Sequence, residues 1–215
     1  DLLTSRGLGD VYKRQGPGRV GLNKGSTGMR RLLREWHWQQ LTGPLAELQL
    51  LVLDVDGVLT DGGLWLDPAG RLQKRFDVRD GLGLKLLQQA GVQLAFLSGG
   101  RGGATEVRAD QLGIKHCLVG IKDKPPALED LQERLGVTAQ RTGYLGDDLN
   151  DLALRSSVRL LLAPRDACRP LRRQADAVLN RRGGHGAVRE LAERILKARG
   201  DWEELAQQGW RDRND

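Results

Sequence analysis

From residue 48 onward, short apolar runs alternate with longer stretches of mixed character. The apolar runs, rich in Leu and Val, fall at 48–55, 92–98, 116–119, 142–146, 158–162 and 176–179. Continuous runs of this length fit strands buried on both faces of a parallel sheet. The stretches between them, 80–90, 102–112, 124–135, 149–155, 166–173 and 186–199, read as helices. Such alternation predicts right-handed βαβ units in an α/β fold with a doubly wound, mostly parallel Rossmann-like sheet. One segment departs from the pattern: Leu64 to Leu66 and Leu72 to Phe76 flank Asp67, Pro68, Ala69 and Gly70. That is turn chemistry between two short strands, so a β-hairpin flap is expected after the first strand. No stretch is long enough for a cap domain.

The two ends read differently. Residues 1–44 carry repeated Gly and scattered Arg and Lys without a sustained period, the mark of a disordered or non-native extension. Within it, Arg30 to Leu41 fits one short helix, with Trp36 and Trp38 covering a surface. The organised domain is expected over 45–200. The tail, 201–215, is polar apart from Trp202, Leu205 and Trp210.

Composition narrows the classes. A chain of 215 residues suits one α/β domain, and 39% hydrophobic with 29% charged residues is ordinary for a globular protein. The absence of a membrane-length apolar run or a secretory segment predicts a cytoplasmic protein without a membrane partner. Cys117 and Cys168 lack metal-site spacing and read as reduced thiols, Cys117 in the core. The net charge of +6 is dispersed without interleaved aromatics. This argues against nucleic acid and for a solvated face whose potential draws in an anionic small molecule.

Chemistry concentrates at the strand ends. The first run terminates in Asp54, Val55, Asp56 and Gly57. Two carboxylates one residue apart share a face at the tip of a strand, where open α/β sheets bind their ligands. They repel each other unless a cation joins them, and Mg²⁺ is the natural hard partner for carboxylate and carbonyl oxygens. Taken alone, the segment reads equally as an acidic surface turn. Gly143 to Gly146 followed by Asp147, Asp148 and Asp151 repeats the grammar; Ser98 and Gly99 end another strand, and Lys124 heads a helix. Carboxylate nucleophile, hydroxyl, lysine and acidic metal cluster form a set suited to phosphoryl transfer.

In that order the four segments resemble the motifs of the haloacid dehalogenase superfamily of aspartate-dependent phosphatases. The hairpin, Asp77 to Gly83 and the run Gly183, Gly184, His185, Gly186 narrow the resemblance to its capless branch, over roughly residues 48–200. Within that branch the chain is similar to phosphatases of octulosonic and nonulosonic (sialic-type) sugar acids, the former serving lipopolysaccharide synthesis. The resemblance implies Asp54 as nucleophile and Asp56 as acid and base. It implies Mg²⁺ held by Asp54, the Asp56 carbonyl and Asp147, with Asp148 and Asp151 orienting the groups around it. Ser98, Gly99 and Lys124 would hold phosphate, Lys122 being the alternative to Lys124. Asp77, Val78, Arg79, Asp80, Gly81, Lys85 and Arg108 would meet the sugar, Arg79 its carboxylate and Arg108 across a subunit interface. His185 has no catalytic part. A homotetramer closing the open sites is implied, with the tail as a lid. One position departs from the family pattern: Gly100 stands where the second motif usually has Arg, with Arg101 beside it. The competing class is a non-catalytic oligomerising module on the same fold.

Overall fold

Strand β1 (Leu50–Leu53) shows how the fold is organised: all four residues are buried, yet they serve two different cores. Leu51 and Leu53 point into one apolar cluster, Leu50 and Val52 into the other. Alternation along a strand buried on both faces requires this. The same split recurs in β4 (Gln93–Leu97), where Leu94 and Phe96 oppose Ala95 and Leu97, and in β7 (Leu160–Ala163).

In the computed structural model, residues 29, 35–100 and 102–209 are described, and residues from His37 onward form one unit. Residues 1–28, 30–34, 101 and 210–215 lie outside the described residues, together with the readings placed on them. The remaining elements are α1 (Thr42–Ala46), the hairpin β2 (Trp65–Leu66) and β3 (Leu72–Gln73), and α2 (Val78–Gln89). Then come α3 (Gly103–Leu112), β5 (His116–Leu118), α4 (Lys124–Leu135), β6 (Thr142–Leu145), α5 (Arg169–Gln174), β8 (Ala177–Val178), α6 (Ala187–Arg199) and α7 (Trp202–Gln208). Six strands form one parallel sheet in the order β5-β4-β1-β6-β7-β8, while β2 and β3 pair antiparallel outside it. This is the expected doubly wound α/β sheet with a hairpin flap, and no cap domain stands among the described residues.

The larger core packs α2 and α6 on one face of the sheet. On α6, Val188, Leu191, Ala192, Ile195 and Leu196 are buried, the i, i+3, i+4, i+7, i+8 stripe of an amphipathic helix. Each Val, Leu and Ile side chain of the stripe contributes about 1.5–3 kcal/mol by leaving water. Trp38 and Leu45 join this core from the segment before β1, and Trp202 and Leu205 of α7 pack against it. Cys117 is half-buried at its edge. On the opposite face, Leu128 and Leu131 of α4 and Leu171 of α5 pack with Tyr144.

One element differs from expectation. Residues 149–155, read as a helix of ordinary type, form a 3₁₀ helix over Leu149–Leu154. Its first turn is closed by reciprocal capping between Asp148 and Asp151, and Asp151 turns inward, fully buried. The tighter turn serves a side chain that is needed beneath the strand ends.

Candidate active site

Asp54 continues β1, its amide bonding the Leu145 carbonyl at 2.9 Å. The chain then turns tightly as the amides of Leu59 and Thr60 return to the Val55 carbonyl. Gly57 sits in this turn at φ +88°, and a Cβ there would lie 2.0 Å from Oδ2 of Asp147. Only glycine permits both the left-handed backbone and the approach of that carboxylate. The far end of the chain closes the turn from outside. A Cβ on Gly183 would fall 1.8 Å from the Gly57 carbonyl oxygen, and the Gly184 amide donates to the Val58 carbonyl at 2.9 Å. The glycine run is therefore a backbone-on-backbone contact with the first motif.

The tips of β1 and β6 bring together Asp54, Asp147 and Asp151, whose nearest carboxylate oxygens all lie within 4.8 Å of one another. Burial, then the Asp151 charge, raises the Asp54 carboxyl to about 6 against the pull of Lys124. Burial and the charges of Asp54 and Asp151 raise Asp147 to about 8. Lys124 enters from the start of α4 with its side chain 1% exposed; Nζ lies 3.1 Å from Asp54 Oδ1 and 2.6 Å from Asp151 Oδ1. Tyr144, buried and holding its proton because burial disfavours the phenolate, donates to Asp151 Oδ1 at 2.7 Å and receives Lys124 at 2.9 Å. The other Asp151 oxygen accepts the amides of Asp147 and Asp148 at 2.8 and 3.2 Å. Asp151 is thus committed to Lys124 and the acidic loop. Asp54 and Asp147 remain crowded with like charge, a donor set that fits a hard divalent cation. Asp148 is exposed and bonds the Leu149 amide, capping the 3₁₀ helix.

Ser98, buried at the end of β4, accepts the Gly100 amide at 3.1 Å. The choice between the two lysines is visible in the geometry: Lys122 bonds the Gly99 carbonyl at the surface, and Lys124 reaches Asp54. Asp56 stands beside this cluster, its carboxylate paired with Lys74 from the strand end of the hairpin.

The stretch Asp77 to Lys85 is engaged differently. Asp77 caps α2 by accepting the Arg79 amide and holds the Arg79 guanidinium through Nε at 3.0 Å and Nη2 at 2.6 Å. Those bonds keep the Asp77 carboxyl below its ordinary value. Val78 is exposed. Asp80 is buried and accepts the amides of Gly186 and Arg189 at 3.2 and 2.8 Å, so it caps α6; burial raises it to about 6. Gly81 leaves room for Arg108, whose Nη2 would lie 2.3 Å from a Cβ there, and whose guanidinium lies over the Phe76 ring. Lys85 is half-buried one turn beyond Gly81. His185 is exposed. Sequence reading missed Lys74 and Tyr144. The first looks like a solvated hairpin charge and the second like a strand core residue.

A parallel sheet carrying an aspartate pair at its first strand, a buried lysine and an acidic loop at the strand ends defines a hydrolase of the haloacid dehalogenase class. A Legionella pneumophila chain assigned to that superfamily, subfamily III A, superposes with a TM-score of 0.78 at 39% identity, covering 82% of this chain and 97% of that one. The Moraxella catarrhalis 3-deoxy-D-manno-octulosonate 8-phosphate phosphatase was solved in complex with a magnesium ion, a phosphate ion and a KDO molecule. It superposes with a TM-score of 0.77 at 35% identity, covering 79% and 98%. The Haemophilus influenzae 3-deoxy-D-manno-octulosonate 8-phosphate phosphatase KdsC is 42% identical over 156 residues, 73% of this chain and 87% of that protein. No family model matches the sequence. The chain belongs to the 3-deoxy-D-manno-octulosonate 8-phosphate phosphatase family.

Proposed function

We propose that this chain hydrolyses 3-deoxy-D-manno-octulosonate 8-phosphate to the free sugar acid and inorganic phosphate, with Mg²⁺ as cofactor. The observation that carries this reading is the crowding of Asp54, Asp147 and Asp151 around the buried Lys124 at the ends of β1 and β6. A non-catalytic scaffold gains nothing from such a cluster, because buried like charges cost stability.

In the first step an oxygen of Asp54 attacks the phosphorus and the ester P–O bond breaks, leaving an aspartyl-phosphate. Asp56 gives its proton to the departing sugar oxygen. In the second step Asp56 takes a proton from water, whose oxygen attacks the same phosphorus and breaks the bond to Asp54. Asp54, Asp147 and the Asp56 carbonyl would hold Mg²⁺, which supplies positive charge to the phosphoryl oxygens. Ser98 and the Gly99 backbone hold phosphate, and Lys124 offsets charge while fixing Asp54. Asp151 and Tyr144 hold Lys124, and Asp148 shapes the acidic loop. The sugar lies toward Asp77, Val78, Arg79, Asp80, Gly81, Lys85 and Arg108. There its carboxylate exchanges with Asp77 for the Arg79 fork.

The reading includes action in the cytoplasm in lipopolysaccharide synthesis and assembly as a homotetramer. Leu64, Trp65 and Leu66, all exposed on the hairpin, support assembly. No helix among the described residues is long and apolar enough to cross a membrane. The test is phosphate release with Mg²⁺ from the octulosonate 8-phosphate, nonulosonate 9-phosphates and hexose phosphates, alongside Asp54→Asn. Preference for the octulosonate, lost in the variant, is expected. A preference for a nonulosonate overturns the assigned sugar. No turnover by the folded, Mg²⁺-supplied protein overturns the phosphatase.

A further inference from the structure

The hairpin presents most of its side chains to solvent: Trp65 is 67% and Leu66 69% exposed, Gln73 faces outward, and the exposed Arg75 reaches the Gly184 carbonyl at 3.0 Å. Lys74 is the exception, with its side chain only 1% exposed. Its ammonium lies 2.9 Å from each oxygen of Asp56 and 3.1 Å from the Thr105 hydroxyl, itself buried in the first turn of α3. An ammonium has three donors and no acceptor, and two of them go to Oδ2 of Asp56 and the Thr105 hydroxyl. Hydrogen-bond direction is met at Oδ2 of Asp56. Oδ1 is buried and accepts no directed hydrogen bond among the described residues.

The far side of that carboxylate is also constrained. A Cβ on Gly100 would lie 3.0 Å from Asp56 Oδ2, 3.4 Å from Ser98 Oγ and 3.7 Å from Lys74 Nζ. The backbone of the second motif thus bounds the space in which Oδ2 sits. The hairpin, the first motif and the start of α3 meet at one buried cation.

We propose that Lys74 is a positioning residue for Asp56: its ammonium, 2.9 Å from both carboxylate oxygens, fixes the orientation of the group that exchanges the proton. Because Lys74 is carried on the flap, seating of the hairpin and completion of the acid–base group are one event. The inference rests on the phosphatase reading, in which Asp56 protonates the sugar oxygen and later deprotonates water. It adds a residue from outside the four motif segments and gives the flap a part in the chemistry.

The test follows phosphoenzyme formation by rapid quench, using the full chain with Mg²⁺. A sugar phosphate, whose leaving oxygen needs a proton, is compared with p-nitrophenyl phosphate, whose leaving group departs without one. Lys74→Met is expected to slow the sugar ester by about 100-fold and the aryl ester by about tenfold or less, with KM little changed. Lys74→Arg, which keeps the charge but not the geometry, shows the same selectivity at smaller size. If Lys74→Met fails to fold, that variant carries the test. Lys74→Met combined with Asp56→Asn is expected to be no slower than Asp56→Asn alone. Equal losses on the two esters, or losses that multiply in the double variant, would overturn the proposal and leave Lys74 a clasp for the hairpin. A wild-type protein inactive on both esters sinks the phosphatase reading and this inference with it. An active wild type with multiplying losses sinks only the inference.

Discussion

Protons and Mg²⁺ compete for the carboxylates at the ends of β1 and β6, and the structure sets the terms. Burial raises Asp54 and Asp147, and mutual repulsion adds to it. Unit charges no more than 4.8 Å apart at an effective dielectric of about 20 repel by about 3.5 kcal/mol or more, equivalent to about 2.5 pH units. The two groups accordingly stand at about 6 and about 8, above the ordinary 3.8. Metal-free protein at pH 7 therefore holds a proton on the pair that Mg²⁺ must expel. About one proton should leave per Mg²⁺ at pH 7 and about 0.1 at pH 9. Apparent affinity should fall about tenfold per pH unit from 8 down to 6, about 100-fold in all. Calorimetric titration of metal-stripped protein in buffers of different ionisation enthalpy reads the proton count directly. Release below about 0.3 proton at pH 7, or affinity flat between pH 6 and 8, would refute the argument. Stability follows the same sign. Folded-state values above 3.8 mean that protonation favours the metal-free fold. That contribution is complete below about pH 4 and is lost as pH rises through about 6 and 8. Thermal unfolding of the stripped protein should show this decline, and added Mg²⁺ should reverse it.

Three substitutions test the surrounding frame. Tyr144→Phe removes a hydroxyl bonded to both Asp151 and Lys124, and should cost about 2–3 kcal/mol in denaturant unfolding while lowering kcat more than it changes KM. Gly183→Ala places a methyl 1.8 Å from the Gly57 carbonyl oxygen; no rotamer relieves it, so a loss of about 3 kcal/mol or more, with activity at least tenfold down, is expected in melting and turnover assays. Gly100→Ala presses a methyl to 3.0 Å from Asp56 Oδ2, which Lys74 holds from another side, so kcat should drop about tenfold with little change in melting temperature. Unchanged kcat would show that the carboxylate has room to yield.

The fold was readable because its signals are local. A Leu- and Val-rich run ending in Asp54 and Asp56 is a buried strand with chemistry at its tip, and the acidic loop after β6 repeats that form. Lys122 and Lys124 are two residues apart, and spacing favours Lys124 over its neighbour without excluding it. Burial separates them, since one reaches a surface carbonyl and the other Asp54. Asp80 was read with the sugar-contacting stretch, and the structure adds that its oxygens meet the start of α6, more than a hundred residues later. Nothing local announces such a bond. Lys74 and Tyr144 were illegible for the same reason: a hairpin lysine turns inward only when the hairpin folds over Asp56, and a strand tyrosine becomes a polar support only beside Asp151. The 3₁₀ helix follows from the inward turn of Asp151, which periodicity does not register.

The contact of Gly183 and Gly184 with the Gly57 turn also bears on how the protein is made. A ribosome extends the chain from its amino end at about 5–20 residues per second. Strand β1 and Asp54 emerge first, and the backbone that walls the following turn appears roughly 130 residues later. For that interval the nascent chain carries Asp54 without its finished surroundings. A chain halted before residue 183 would hold every acidic motif without the backbone that walls the Gly57 turn.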